Sequence, residues 1–273
     1  MINLKAHAKI NLALEVMDTE GGFHKVNNIM IPINLSDDIS IEKADTTHVL
    51  DNEIPDNIMI KAANLFFQRF NIDGGVRIII NKHIPVSAGL AGGSTDAGAI
   101  LRGLNELYDV NASVDDLKDI ASRLGSDVPF FIEEKCALCT NRGEIINKLE
   151  CNLEPLDLLL IKVNKGTSTK EVYQNYNYDG ILKNNEINSI LKGLRENDKD
   201  LVINNIFNDL TTPALKVNDE LRACYNKLKD NGLDAKISGS GPTIFLVNPT
   251  NEDVKLVDDL LDESILKIRT NTI

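Results

Sequence analysis

The stretch "IPVSAGLAGGSTDAGAILRGLNELY", residues 84–108, combines a glycine-rich segment with a helical pattern. Glycines and other small residues fill its first half, and apolar residues at helical spacing fill its second half, from Ala97 to Tyr108. The glycines at 89, 92 and 93 therefore stand directly before a predicted helix. A helix N-terminus offers unpaired N–H groups and about half a positive charge, and glycine lets an anion approach the backbone. The stretch predicts either a phosphate-binding loop or a tight turn that packs a small-residue helix on a sheet.

The same stretch lacks two common nucleotide-binding patterns. A Walker A loop requires a lysine after its last glycine, whereas Ser94 and Thr95 follow here. The glycine spacing is also not G-x-G-x-x-G. These differences exclude the Walker-type kinases and the Rossmann-type dehydrogenases.

The composition is that of an ordinary globular protein long enough for about two domains, with 273 residues, 42% of them hydrophobic and 26% charged. A net charge of −12 makes nucleic acid and anionic membrane surfaces poor partners, but it is compatible with a local positive pocket for a small anion. No apolar run approaches the about 20 residues needed to span a bilayer. The N-terminus does not resemble a signal peptide, so we expect a cytoplasmic protein.

Helical and strand-like periodicities follow each other in mixed order. Alternation over residues 8–16 predicts a strand with Ile10, Leu12, Leu14 and Val16 on one face. Helices are predicted at 56–70, 97–108, 113–124, 168–178, 184–196, 201–208, 216–231 and 251–264. Further strands are predicted at 74–86, 129–133, 136–140, 157–163, 232–248 (two strands around a glycine turn) and 265–273. Because helices and strands do not alternate regularly, the order favours an α+β fold, with a domain boundary near 150–156.

Cysteine and histidine spacing gives little support for metal chemistry. Cys136 and Cys139 form a C-x-x-C without a second matching pair, which favours buried small hydrophobic residues over a redox or zinc site. The four histidines have no H-E-x-x-H or similar spacing.

Three other short stretches carry candidate functional residues. Lys9 lies inside the apolar strand start "AHAKINLAL", where it either reaches solvent or holds a buried anion. Asp127 lies in "LGSDVPFF" after a helix stop, where it either caps a turn or acts as a general base. The turn "ISGSGPT", residues 237–243, is either a simple β-turn or a second glycine loop that closes on the same ligand.

Together, these stretches resemble the GHMP small-molecule kinases. The similarity also includes "GGFH" (21–24), "NRGE" (141–144) and "GTSTKEVY" (166–173), so it spans about residues 5–247. The resemblance implies an α+β, two-domain GHMP kinase architecture. Residues 1–153 would form a ribosomal-protein-S5-domain-2-like domain that binds ATP, and residues 154–273 a ferredoxin-like domain. ATP and an alcohol acceptor would bind in the cleft between them.

The resemblance also implies an activity and a set of site residues. The γ-phosphoryl group of ATP would pass, with Mg²⁺, to a hydroxyl of a small-molecule substrate, cytidylyl-methylerythritol. Asp127 would take the hydroxyl proton and Lys9 would pair with Asp127. The ATP-binding residues would be Pro85, Val86, Ser87, Ala88, Gly89, Leu90, Ala91, Gly92, Gly93, Ser94 and Thr95. The substrate-binding residues would be Asn11, Phe23, His24, Thr169, Tyr173, Gly239, Ser240 and Gly241. The Mg²⁺ ligands are not assigned, although Ser94 and Asp96 are candidates.

Several positions depart from the family pattern. His7 stands where proline is common and is expected to alter only the start of its strand. Gly21 replaces an aspartate, and Phe23 replaces a tyrosine, which keeps a stacking ring but loses a hydroxyl. Two alternatives stay open: another GHMP kinase, of the mevalonate or homoserine type, and a GHMP-fold protein that binds ligand without turnover. The expected oligomeric state is a monomer or a homodimer.

Overall fold

The computed structural model describes residues 1–50, without the side chain of residue 20, and residues 57–273. Within these ranges, strands and helices are mixed, which confirms the predicted α+β class. The first residue of the helix predicted at 56–70 lies outside the described residues. No helix in the described ranges combines the length and the apolar character that a membrane span requires.

A long antiparallel hairpin forms the centre of the first sheet. Its strands are β1 (Ile2–Glu20) and β2 (Phe23–Ala44), joined at Gly21 and Gly22, which both have positive φ. The other strands are β3 (His48–Val49), β4 (Gly75–Asn81), β5 (Ala137–Asn141), β6 (Ile145–Lys148) and, from later in the chain, Phe207–Asn208. The last of these pairs in parallel with β1, so β1 has a neighbour on both edges.

The burial of strand β1 differs from the prediction of a single apolar face. Residues 8–16 are buried on both faces, and the buried set includes Lys9, Asn11 and Glu15. Irregularities in the register near His7 and Asn11 interrupt the alternation, so that the predicted apolar face divides between two hydrophobic clusters. Polar side chains are therefore held inside the protein at this strand.

The second sheet is antiparallel and comes from the C-terminal part of the chain. In chain order, the strand Phe207–Asn208 of the first sheet is β8. The strands of the second sheet are β7 (Asp157–Lys162), β9 (Lys236–Ile237), β10 (Thr243–Val247) and β11 (Leu266–Asn271). The sheet has the order β11-β7-β10-β9. The predicted glycine turn joins β9 to β10, as expected.

Helices pack against both sheets. They are α1 (Ile58–Phe70), α2 (Gly92–Leu107), α3 (Val114–Ser122), α4 (Thr169–Gln174), α5 (Asn184–Glu196), α6 (Lys199–Ile203), α7 (Thr211–Val217), α8 (Asp219–Asp230) and α9 (Asn251–Leu260). Ser113 accepts a hydrogen bond from the Asp116 N–H at 3.1 Å, as an N-cap should.

Some secondary-structure predictions were wrong in detail. The helix predicted at 97–108 already begins at Gly92, so Gly92 and Gly93 belong to its first turn and do not precede it. The strand predicted at 129–133 is a 3₁₀ helix, Val128–Ile132, because a short buried apolar run has no periodicity that separates strand from helix. The helix predicted at 201–208 ends at Ile203, and β8 follows. The helix predicted at 216–231 is divided at Asn218, whose side chain accepts from the Leu221 N–H and caps α8.

The two sheets share part of the hydrophobic core. One buried cluster joins Ile10 of β1, Leu160 of β7 and Ile190 of α5. A separate cluster lies between the first sheet and helices α1, α2 and α3. The polar residues of β1 therefore lie close to where the two parts of the chain meet.

Candidate active site

A cavity of about 950 Å³ brings most of the predicted site residues together. The predicted residues that line it are Lys9, Asn11, Phe23, His24, Ser87, Ala88, Gly89, Ala91, Gly92, Gly93, Ser94, Asp127, Thr169, Tyr173, Gly239 and Ser240. The predicted residues outside its lining are Pro85, Val86, Leu90, Thr95 and Gly241. Of these, Leu90 and Thr95 are buried behind the loop, so they contribute to its packing.

The N-terminus of α2 faces this cavity with uncapped N–H groups. Ala91, the residue before the helix, has φ 59° and its side chain makes no capping hydrogen bond. The first three helical residues, Gly92, Gly93 and Ser94, line the cavity, and the first turn carries no acidic residue. Unpaired amides and the helix dipole therefore favour an anion at this end.

The two glycine turns are in direct contact at Gly89. This residue has φ 74°, and a Cβ atom added to it would lie 2.5 Å from the Ser238 carbonyl oxygen and 2.8 Å from that of Gly241. The Thr243 N–H also donates to the Ala88 carbonyl at 3.3 Å. The turn between β9 and β10 thus closes directly against the loop before α2.

We expect Gly89→Ala to lower the free energy of unfolding by about 3 kcal/mol or more, since the methyl group adds backbone contact to an unfavourable φ. Gly232→Ala is the matched control, because Gly232 has φ 83° but nothing within 4 Å of an added Cβ. That control is expected to lose only about 1 kcal/mol. Urea unfolding of both variants measures the difference, and equal losses would contradict the close contact.

Lys9 is buried and belongs to a hydrogen-bond network across three segments. Its ammonium donates to Asn11 Oδ1 at 2.9 Å and to the Gly89 carbonyl at 3.0 Å, and only 3% of the residue is exposed. Asn11 Oδ1 also accepts from the Gly239 N–H at 2.8 Å, while its Nδ2 donates to Asn28 Oδ1 at 2.7 Å. Burial lowers the pKa of Lys9, and the nearby charge of Asp127 opposes this shift. Lys9 therefore does not reach solvent, and its charge is held at the cavity.

Asp127 is half-buried at the cavity wall, immediately before the 3₁₀ helix. Its side chain does not cap that helix. Gly98 of α2 positions the 3₁₀ helix, since an added Cβ there would lie 2.6 Å from Phe131 Cβ. Among the described residues, no ion pair within 4.0 Å joins Asp127 to Lys9, whose hydrogen bonds go to Asn11 and Gly89. The carboxylate is therefore open to the cavity.

Aromatic and imidazole rings lie at another part of the cavity. Phe23 is 57% exposed at the start of β2, and the rings of His24 and Tyr173 lie 5.7 Å apart at 32°. His24 Nδ1 lies 2.8 Å from the Met17 carbonyl, which requires a proton on Nδ1 and leaves Nε2 free to accept when the ring is neutral. Burial, together with the charge of Asp127, raises the pKa of Tyr173 to about 12. These groups offer stacking faces and a polar edge.

The candidate residues of β9–β10 and α4 also meet each other. The hydroxyl groups of Thr169 and Ser240 share a hydrogen bond of 2.8 Å. The segment "GTSTKEVY" and the turn "SGSGPT" therefore form one wall of the cavity.

Sequence reasoning missed several charged groups near the cavity. Arg142 lines it and lies over the Phe23 ring, 5.0 Å from its centroid. Lys82, before the glycine loop, lies 2.7 Å from Asp96 Oδ2, so the Mg²⁺ candidate Asp96 is paired with an ammonium group and does not line the cavity. The sequence indicates the turn "NRGE" but no role for its arginine, and no local pattern indicates the partner of Lys82.

Two further sequence interpretations have clear structural outcomes. His7 does more than alter the start of β1, because its Nδ1 lies 3.1 Å from Glu134 Oε2. Cys136 and Cys139 are buried free cysteines within hydrophobic clusters, as predicted. The described residues contain no group of three or more His, Cys, Asp or Glu side chains that could hold a metal ion.

Family models match two parts of the chain. The model for the GHMP kinases N-terminal domain matches residues 57–135, which include the glycine loop, α2 and Asp127. The model for the GHMP kinases C-terminal domain matches residues 190–260, which include the turn between β9 and β10. The cavity residues contributed by β1 and by α4 lie outside both matched ranges.

Whole-chain comparisons agree with the family models. The 4-diphosphocytidyl-2-C-methyl-D-erythritol kinase of Clostridium perfringens (strain SM101 / Type A) is 41% identical over 253 residues, which cover 89% of this chain and 88% of the relative. The enzyme of the same name from Clostridium botulinum (strain Langeland / NCTC 10281 / Type F) is 38% identical over 269 residues, covering 96% and 92%.

Solved structures share the fold over the full length. A crystal structure of 4-(cytidine 5'-diphospho)-2C-methyl-D-erythritol kinase has a TM-score of 0.83 and 27% identity, covering 99% of both chains. A homoserine kinase from Cytophaga hutchinsonii has a TM-score of 0.70 at 16% identity, covering 100% of this chain and 94% of that one, and shows the shared fold alone. The glycine loop, the buried lysine and the second glycine turn meet at one cavity, in agreement with these comparisons. The family models and the relatives show that this chain belongs to the GHMP kinase family of ATP-dependent small-molecule kinases.

Proposed function

We propose that this chain transfers the γ-phosphoryl group of ATP to the 2-hydroxyl of 4-diphosphocytidyl-2-C-methyl-D-erythritol, in isoprenoid precursor biosynthesis. The observation that carries the proposal is one cavity that joins a helix end with unpaired amides, a buried lysine, a separate carboxylate and a set of aromatic rings. The choice of acceptor rests on those rings and on the names of relatives that are about 40% identical.

The ATP phosphates would lie against the uncapped N-terminus of α2. The amides of Gly92, Gly93 and Ser94 need partners there, and the glycines allow a close approach. The donor set fits Mg²⁺ that is carried mainly by ATP oxygens, since Mg²⁺ uses few protein ligands beside substrate phosphates. Ser94 is the protein residue of the loop that would contact the ion. When bound, Mg²⁺ would neutralise the negative charge of the phosphates.

Asp127 would act as the base and Lys9 as the stabilising charge. The acceptor hydroxyl would give its proton to the Asp127 carboxylate while its oxygen bonds to the γ-phosphorus, and ADP would leave. Lys9, held by Asn11 and Gly89, would keep a positive charge near the developing negative charge. Little covalent work is required of the protein, because positioning and electrostatics provide most of the catalysis.

The acceptor would be recognised by its nucleobase. A cytosine ring stacked between Phe23 and Tyr173 would present its amino group to His24 Nε2, the ring nitrogen left free as an acceptor. Asn11, Thr169 and the turn Gly239–Gly241 would border the rest of the acceptor. Residues 1–153 and 154–273 would act as two domains around the site, in a cytoplasmic monomer or homodimer.

An ATP-coupled assay with three acceptors tests the proposal. The purified chain is expected to turn over the cytidylyl-methylerythritol substrate, with no detectable activity on mevalonate or homoserine. Turnover of mevalonate or homoserine alone would replace the proposed acceptor. Absence of turnover with all three, together with intact ATP binding, would favour a GHMP-fold protein that binds without catalysis.

Tyr173→Leu is expected to raise KM for the cytidylyl substrate about tenfold, because one stacking face is worth about 1–3 kcal/mol. The kcat at saturation and KM for ATP should stay within about twofold. Tyr225→Leu is the control, since Tyr225 packs against the same hydrophobic cluster without lining the cavity. Steady-state kinetics with each substrate varied in turn measures both, and an equal rise in both KM values would argue against a base-stacking role.

A further inference from the structure

Arg142 lies at the aromatic end of the cavity, in the turn "NRGE" that joins β5 to β6. The central carbon of its guanidinium group lies 5.0 Å from the centre of the Phe23 ring, and both residues line the cavity. Arg142 and Phe23 are each about half exposed. The guanidinium therefore covers one face of the Phe23 ring and leaves the opposite face open to a base.

The turn holds Arg142 in this place. Glu144 accepts the Arg142 backbone N–H at 2.9 Å and the Asn141 side-chain amide at 2.6 Å. Its carboxylate also lies 3.6 Å from Arg142 Nε. Within the described residues, the two terminal Nη groups of Arg142 have no hydrogen-bond partner. The protein therefore orients this side chain while its terminal donors stay free for a ligand.

The same turn connects the aromatic end of the cavity with the end that carries Asp127. Arg142 contacts Phe23 on one side. On the other side, a Cβ atom added to Gly143 would lie 3.7 Å from Ser126 Cβ, and Ser126 immediately precedes Asp127. All five of these residues line the cavity. Arg142 therefore lies on the wall between the rings and the carboxylate.

The charges around the cavity make Arg142 a suitable anion contact. The lysines and arginines that line it are Lys9, Arg142 and Lys170, in a chain of net charge −12. Lys9 is buried and donates to the Gly89 carbonyl of the glycine loop. Of the three, Arg142 is the one that lies over an aromatic ring of the cavity within the described part of the chain. A guanidinium group can donate to two phosphate oxygens in its plane while its flat face stacks on a ring.

We propose that Arg142 binds the diphosphate of the acceptor through its Nη groups while it stacks on Phe23, and that it thereby selects an alcohol joined to its base through a diphosphate. When the base stacks on Phe23 and the hydroxyl reaches Asp127, the linking phosphates lie between these two residues, as Arg142 does. A free alcohol such as mevalonate or homoserine has no diphosphate for this contact. The inference rests on the proposed function, because it takes a cytidylyl compound as the acceptor.

Binding of cytidine, CMP and CDP to Arg142→Met tests this contact, by NMR titration with a non-hydrolysable ATP analogue in the phosphate loop. Methionine still packs on the Phe23 ring but has no charge and no N–H donor. We expect CDP to bind Arg142→Met about tenfold more weakly than wild type, as loss of charge-assisted hydrogen bonds implies. Cytidine should bind both proteins within about twofold, because its stacking face is kept, and CMP should give an intermediate loss.

Two further variants complete the experiment. Arg142→Lys keeps the charge without the planar fork, and we expect it to lose about threefold in CDP affinity. If Arg142→Met does not fold, this variant still shows a loss confined to the phosphorylated probes. Arg69→Met is the matched control, because Arg69 also lies over a phenylalanine, Phe70, at 5.5 Å and pairs with Asp116 at 2.7 Å, but does not line the cavity. It should leave the affinities for all three probes unchanged.

The outcomes separate this inference from the proposed function. Equal losses of cytidine and CDP affinity would mean that Arg142 only supports the Phe23 ring, and would overturn the phosphate contact. CDP binding unchanged by both substitutions would overturn it too, as would a loss of affinity for the ATP analogue alone. Each of these results leaves turnover of the cytidylyl acceptor by the wild type intact. A wild type that binds neither cytidine nor CDP would instead refute the proposed acceptor, and the inference with it.

Discussion

Replacing Asp127 by asparagine is expected to lower kcat about 10³-fold and to leave ATP affinity within about twofold of wild type. Asparagine keeps the size of the side chain but cannot accept the acceptor proton. Among the described residues, the Asp127 carboxylate makes no hydrogen bond that the substitution would break, and it does not cap the 3₁₀ helix. The loss should therefore fall on the chemical step, with little change in stability.

Single-turnover kinetics with saturating ATP and acceptor, with nucleotide binding measured separately, tests this expectation. Asp119→Asn is the control, because Asp119 is exposed on α3 and, within the described part of the chain, its carboxylate pairs only with Arg123, at 2.9 Å. If Asp127→Asn has nearly wild-type activity, Asp127 is not the base. Parallel loss of ATP affinity and turnover would instead place the carboxylate in nucleotide binding.

The parts of the site that could be predicted from the sequence are those encoded locally. Three features each stand out within fewer than about ten residues: the glycines around the start of α2, the lysine inside an apolar strand and the glycine turn of β9–β10. Glycine at 89 is explained by positive φ and by the carbonyls that approach it, both of which require a missing Cβ. Local patterns of this kind can be recognised without knowing how the rest of the chain is arranged.

What could not be predicted depends on contacts between distant segments. Lys82 and Asp37 are 45 positions apart in the sequence, and no periodicity connects them. The sequence predicts a strand at the 3₁₀ helix Val128–Ile132, because its buried phenylalanines fit either geometry until the packing partner, Gly98 of α2, is known. Arg142 could be assigned to a turn, but its position over Phe23 follows from the pairing of β2 with β5.

Lys9→Met is expected to lower kcat about 10²- to 10³-fold, the effect of removing one preorganised charge from an active site. Methionine fills nearly the same space without the ammonium group. The two acceptors that Lys9 leaves keep other donors, since Asn11 Oδ1 still accepts from the Gly239 N–H at 2.8 Å and the Gly89 carbonyl from Ser238 Oγ at 3.0 Å. We therefore expect a folded variant that has lost turnover, which a thermal melt beside the kinetic assay would show.

The pH dependence of stability and turnover in the wild type provides a second test of the Lys9 charge. Burial lowers the pKa of Lys9, so the native state releases this proton at a lower pH than the unfolded chain does. Between the native pKa and the ordinary value near 10.5, the unfolded state binds more protons, and stability from this group rises with pH. Turnover should change in the opposite direction, because the same deprotonation removes the catalytic charge. Lys9→Met should lack both slopes, whereas a wild-type kcat that stays constant up to pH 10.5 would contradict a catalytic charge on Lys9.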